Sequence, residues 1–242
     1  MKKVGLVLIA LVIMLSGCQR ADYNKANEKT SSMTDYAMDI STIVTIEDGD
    51  SKKQSAIDQT VAVNNKGKKD MIYKVGTVAT SADIVTGDVE SQENSYMYYG
   101  NCYYYTYPGV RYKSTATHEQ ALENIDNLTN VITFSEDEML VTGTDTTEEG
   151  EVISYQVDYE DTSLYVKSLL ENAATAFEGV SFSPVDMIAS TSFDKNSIVS
   201  RELYVEYAAE GDKRITIEIY VTYSDAAAVE KPDKSKYASI EG

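Results

Sequence analysis

Ile215-Thr216-Ile217-Glu218-Ile219-Tyr220-Val221-Thr222-Tyr223 sets an apolar or aromatic side chain at every second position, with polar or amphipathic ones between. A period of two is the pattern of a strand with one face on a core and the other on solvent. The run belongs to a strand predicted from Lys213 to Ser224. Two more strands are predicted just upstream, Asp186 to Phe193 and Ile198 to Ala208.

Before them the period changes. Val166, Leu169, Leu170, Ala173 and Phe177 form a stripe at helical spacing, which predicts a helix over Thr162 to Phe177. Asp161 or Thr162 can cap it, and Gly179 suits its end. A shorter helix is predicted over Thr117 to Asn130, with Thr117 and Gln120 spaced as in a capping box and Leu122, Ile125 and Leu128 on one face. Between the helices, Val131 to Phe134, Met139 to Thr144 and Glu151 to Tyr159 read as strands, with a loop over Thr144 to Gly150.

The first third of the body is again strand-like. Met38, Ile40, Val44 and Ile46 share one face of a period-two run. Asp48-Gly49-Asp50 and Asn65-Lys66-Gly67-Lys68 are turn signals on either side of Ser55 to Asn64. Met71 to Thr80 and Ile84 to Glu90 continue the series, with a turn over Ser81-Ala82-Asp83. Short strands joined by polar turns predict an antiparallel sheet.

Lys2 and Lys3, the 12-residue apolar run Val4 to Leu15, and Ser16-Gly17 before Cys18 follow one another as in a secretory signal peptide. The run is too short for a membrane span, which needs about 20 residues. Leu15-Ser16-Gly17-Cys18 resembles the bacterial lipobox. That resemblance implies cleavage before Cys18, a diacylglyceryl group on its thiol and an extracytoplasmic, lipid-anchored protein that takes up palmitate. Each buried acyl methylene contributes about 0.8 kcal/mol, so two chains hold where one does not. The division expected is a signal peptide at 1–17, a lipidated cysteine and flexible tether at 18–32, one α+β domain at 33–224 and a loose tail at 225–242.

The closing rhythm is strand, Phe193-Asp194-Lys195-Asn196-Ser197-Ile198, strand, Gly211-Asp212-Lys213, strand. It is similar to the LolA/LppX-like group of bacterial lipoprotein-handling domains. The resemblance implies a curved, unclosed antiparallel β-sheet with two helices packed on one face. It also implies a small apolar or amphiphilic ligand held between sheet and helices.

The chain has 39 acidic and 21 basic side chains, a formal charge of −18. Nucleic acid and anionic lipid surfaces both select clustered positive charge, so neither is an expected partner. His118, the only histidine, stands at a helix start with no Gly-x-Ser-x-Gly to accompany it. The acidic groups around Glu47 and Asp145 lack the ligand order of a calcium loop, and Asp158 with Glu160 is one carboxylate pair among many. The expectation is therefore a binding protein, not an enzyme, with no metal and no cofactor.

Eight of the 19 tyrosines fall between Ser95 and Lys113. Gly100-Asn101 and Pro108-Gly109 are turn signals within this belt. Tyrosine forms strands well and also makes binding surfaces, with a flat apolar face and a polar tip. On a regular strand Tyr103, Tyr105 and Tyr107 share one face and Cys102 and Tyr104 the other. Because Cys102 is small and apolar, its face is assigned to the core and the three tyrosines to an accessible row. That row is the candidate contact for a protein or glycan, as an alternative to the ligand site.

The lipobox reading has a direct test. Cys18→Ala should abolish incorporation of labelled palmitate, and continued labelling would end the reading.

Overall fold

The computed structural model describes residues 21–129, 132, 140–147, 150–157, 162–195, 197–226 and 228–240. Cys18 and the signal segment lie outside the described residues, as do Asp158, Glu160 and, except for Ile132, the strand predicted at Val131 to Phe134. Helix α1 spans residues 21–31. Strands β1 (Tyr36–Asp48), β2 (Ser51–Asn64), β3 (Ile72–Asp83), β4 (Val89–Tyr99), β5 (Cys102–Tyr107) and β6 (Val110–Thr115) follow. Then come α2 (His118–Thr129), β7 (Leu140–Thr147), β8 (Gly150–Gln156), α3 (Leu164–Ala174), β9 (Ser183–Phe193), β10 (Ile198–Ala209), β11 (Lys213–Ser224) and β12 (Ala238–Ser239).

Among the described residues the strands lie in one unclosed 12-stranded sheet, ordered β12-β6-β5-β4-β3-β2-β1-β11-β10-β9-β8-β7. The expected α+β architecture, an open antiparallel sheet with helices on one face, is the one found. Only β12 runs parallel to its neighbour. Most neighbours are successive in the chain and are joined by tight turns. Gly100 and Asn101 both have positive φ, +58° and +62°, as a two-residue hairpin that follows the strand twist requires. Besides β12 on β6, the non-successive pair is β1 with β11, from Ala37↔Ser224 to Asp48↔Lys213, while β8 and β9 are joined through α3.

Register places the apolar rows side by side. Met38, Ile40 and Val44 lie opposite Tyr223, Val221 and Ile217, and Leu203 and Val205 lie opposite Ile219 and Ile217. These side chains are buried or nearly so and form the inner face, on which all three helices lie. In α2, Ile125 and Ala121 are fully buried, with Leu122 and Leu128 packed at the margin. The Thr117–Gln120 capping box is present: the Thr117 amide donates to Gln120 Oε1 at 2.9 Å and the Gln120 amide to Thr117 Oγ1 at 3.1 Å. In α3, Val166 and Ala173 are buried and Leu170 is half-buried. Its cap is Ser163, which accepts from the Val166 amide, in place of the expected Thr162; Asp161 lies outside the described residues.

The structure corrects several further expectations. The tether is helical from residue 21, because Tyr23, Ala26, Asn27 and Thr30 recur at i, i+3, i+4 and i+7 on one side. Tyr23 is 2 % exposed and meets Phe193 edge-on at 5.9 Å. Asn27 Oδ1 accepts from the buried Arg201 guanidinium at 2.6 Å, and Thr30 Oγ1 from the Ile198 amide at 2.9 Å. The strand expected at Ile84 to Glu90 is mostly a turn, since β3 runs on through Ser81-Ala82-Asp83 and Asp83 Oδ1 accepts from the Val85 and Thr86 amides. The loop expected from Thr144 begins later, because β7 continues to Thr147. The tail is held: β12 pairs with β6, Tyr237 packs on Tyr104, and the Ile240 amide donates to the Lys113 carbonyl at 3.1 Å.

If α1 is part of the body, Tyr23→Ala should lower the unfolding free energy by about 3–5 kcal/mol, as truncation of a buried aromatic does. Urea denaturation of the full chain measures it. A change within about 0.5 kcal/mol would restore the flexible tether.

Candidate functional site

The inner face is covered unevenly. Helix α2 sits on tyrosines of β3, β4 and β5. The Tyr73 hydroxyl donates to the Ala121 carbonyl at 3.2 Å and lies 3.0 Å from the Tyr103 hydroxyl. Asn124 Nδ2 donates toward both the Tyr73 and Tyr96 hydroxyls, each at 3.2 Å. The rings of Tyr73 and Tyr98 stack at 5.6 Å, and Tyr103 meets both Tyr96 and Tyr98 edge-on. Helix α3 lies over β1 and β11 instead, with the Tyr165 hydroxyl 3.1 Å from Thr42 Oγ1.

A groove of about 420 Å³ remains between α2 and α3. Leu128 and Leu164 face it from the two helices, Tyr96 and Tyr165 bring ring and hydroxyl, and Asn124, Asn127, Ser163 and Ser168 add neutral polar tips. None of these lining residues is charged, in a chain of formal charge −18. Leu164 is 82 % exposed at the mouth. Burial pushes the Tyr96 hydroxyl up to about 12 despite the opposing Asn124 hydrogen bond. Burial also raises Tyr73 far above the ordinary tyrosine range. Both stay neutral donors at physiological pH.

A second cavity, of about 290 Å³, is polar and lies where α1 and α2 end. Lys66 pairs with Asp126 there at 2.6 Å, and Arg201 Nη1 donates to the Ile132 carbonyl at 2.8 Å. The Asp126 carboxylate holds Lys66, and the Ile132 carbonyl with Asn27 Oδ1 holds Arg201, so both cations have partners within the fold.

The tyrosine row lies on the opposite side from the one expected. Tyr103, Tyr105 and Tyr107 point to the inner face, while Cys102 and Tyr104 point outward. Tyr103 belongs to the packed cluster under α2. Tyr105 and Tyr107 extend beyond it as a shelf with Tyr112, stacked at 4.8 Å and 5.9 Å. Tyr104 is only 2 % exposed, yet Tyr237 of the tail covers it on the outer face. A small residue such as Cys102 does not identify the core side where both faces of a strand are covered. His118 opens α2 beside the Tyr98 ring at 6.5 Å. Among the described residues no group of three or more His, Cys, Asp or Glu side chains is placed to hold a metal ion, and no helix is long and apolar enough to cross a membrane.

Sequence reasoning missed the groove residues Asn124, Leu164 and Tyr165. Leu164 precedes the α3 stripe and falls outside its period, which was the available signal for an apolar side chain not spent on the core, whereas Tyr165 packs on the core edge.

No family model and no curated protein matches the chain. Eight chains of known structure do. LprF from Mycobacterium bovis is similar at 11% identity and a TM-score of 0.44, over 88% of this chain and 95% of that one. A DUF1329 family protein from Desulfovibrio piger is similar at 11% identity and a TM-score of 0.25, over 88% of this chain and 94% of that one.

The buried hydroxyls set an alkaline limit. A tyrosine in the unfolded chain ionises near its ordinary 10.0, whereas Tyr96 in the fold holds its proton to about 12. Its contribution to stability is thus complete below pH 10.0 and is lost as pH rises toward about 12. Tyr96→Phe should flatten the fall of the urea midpoint over that window. An unchanged slope would show that Tyr96 titrates freely.

Proposed function

We propose that this chain is an extracytoplasmic lipoprotein, held to a bacterial membrane through Cys18, that binds an apolar or amphiphilic molecule between α2 and α3. The observation that carries the reading is the uncharged groove in so acidic a protein. At about 420 Å³ it falls within the roughly 300–1,000 Å³ of small-molecule sites. Leu128 and Leu164 suit an acyl or other apolar portion, and the amide and hydroxyl tips suit a neutral polar end. The lining offers no carboxylate, imidazole or thiol to move a proton, which favours binding over catalysis.

The Tyr105–Tyr107–Tyr112 shelf supports a second reading, a contact for a protein or glycan through the tyrosine belt. Tyr107 is 36 % exposed and its ring lies parallel to that of Tyr112, within 3°. Such flat, amphipathic rings give contact area at low entropic cost.

Native mass spectrometry of the full lipoprotein taken from membranes separates the two. A co-released small molecule is expected. Leu164→Asp puts a charge in the mouth without touching the core, so it should remove the adduct and leave the melting temperature in place. An adduct that survives Leu164→Asp would overturn the groove as its site. A bare wild-type chain, with partner capture lost in Tyr105→Ser/Tyr107→Ser, would transfer the function to the shelf.

A further inference from the structure

The outer face of the sheet carries a platform that neither helices nor tail covers. Across β9, β10, β11 and β1, Ile188, Tyr204, Tyr220 and Ile43 surround a shallow depression of about 380 Å³. Ile188 is 43 %, Tyr204 36 % and Tyr220 42 % exposed, although outward positions of a solvated sheet are ordinarily polar. Register sets a carboxylate directly across from each ring: Glu218 opposite Tyr204, and Glu202 opposite Tyr220. The neighbouring Glu206 is occupied by Arg214 at 2.9 Å and by the Tyr204 hydroxyl at 3.0 Å. Glu202 and Glu218 enter no ion pair among the described residues.

The same face already holds one segment of this chain. On β4 and β5, Lys231 and Lys234 each place an ammonium 5.4 Å from the Tyr99 ring centroid, and Tyr237 packs on Tyr104 at 5.2 Å. An extended, lysine-bearing peptide thus lies on outward tyrosines by cation–π and ring contact. The Tyr204–Tyr220 platform repeats those surfaces and adds two carboxylates of the complementary sign.

We infer that this platform docks an extended lysine- or arginine-bearing segment of a partner protein. The formal charge of −18 draws such a segment in, and the paired rings and carboxylates give it a place to stop. The inference is independent of the α2–α3 groove, which lies on the other face.

The test is fluorescence anisotropy of a labelled octa-lysine peptide with the full lipoprotein in detergent. Tyr204→Ser/Tyr220→Ser leaves the net charge unchanged and should weaken binding about five- to thirtyfold, the loss of two exposed cation–π contacts. Glu202→Gln/Glu218→Gln should also weaken it. Glu119→Gln/Glu123→Gln on α2 removes the same charge elsewhere and should leave it nearly unchanged. If the serine variant fails to fold, Tyr204→Leu/Tyr220→Leu keeps an apolar strand face and removes the rings. Equal affinity across all these variants would mean unspecific attraction to an acidic protein and would overturn the proposal. So would concentration-dependent dimerisation abolished by Tyr220→Ser, which would assign the face to a second copy.

Discussion

The pairing of β1 with β11 holds the molecule together. Without it the chain would be two separate antiparallel meanders, one ending at β6 and the other at β11. Twelve residue pairs, from Ala37↔Ser224 to Asp48↔Lys213, join strands far apart in sequence. Side chains alternate along a strand, so a slip of one residue here would turn one meander's apolar rows outward. Ile40 opposite Val221 and Val44 opposite Ile217 make that slip expensive, since all four are buried. The register of this one seam therefore decides that the sheet has a single inner face.

That seam also determines where the helices go. Because β1 and β11 are central, β6 lies near one edge and β7 at the other. The connection from β6 to β7 must cross the width of the sheet, and α2 lies on it. Helix α1 precedes the central strand β1, and α3 connects β8 to β9. Two helices arriving from different connections, over β3–β5 and over β1–β11, meet without a shared loop to close them. The groove beside Leu128 and Leu164 is the gap between these independent coverings.

Legibility followed the strength of local pattern. The run from Ile215 to Tyr223 alternates without a break, and the strand it predicts, Lys213 to Ser224, has the ends of β11. Thr117 and Gln120 announced α2, because a capping box is a local exchange of hydrogen bonds. Helix α1 was not legible as a helix. Its buried side offers only Tyr23 and Ala26 as apolar groups, and its other ties, Asn27 to Arg201 and Thr30 to Ile198, join residues more than a hundred positions away. The tail failed for the same reason: Tyr237 has a partner only because β5 turns Tyr104 outward. The face of the tyrosine row depended on the path of α2, which no local period encodes.

The tyrosines under α2 explain why core and groove cannot be treated as separate parts. A buried hydroxyl left without a partner costs about 1–3 kcal/mol, so each ring brought under the helix needs one. Tyr96 finds its partner in the amide of Asn124, which Tyr73 also accepts from beside its bond to the Ala121 carbonyl, and Asn124 is also a wall of the groove. One side chain thus satisfies the packed cluster and faces the space where a ligand would lie. A polar group entering the groove meets a donor already shared between two hydroxyls in a low-dielectric setting, where hydrogen bonds polarise one another. The apolar jaws Leu128 and Leu164 carry no such obligation. Affinity gained from the jaws leaves the cluster undisturbed, whereas affinity gained at Asn124 draws on the bonds that hold α2 to the sheet.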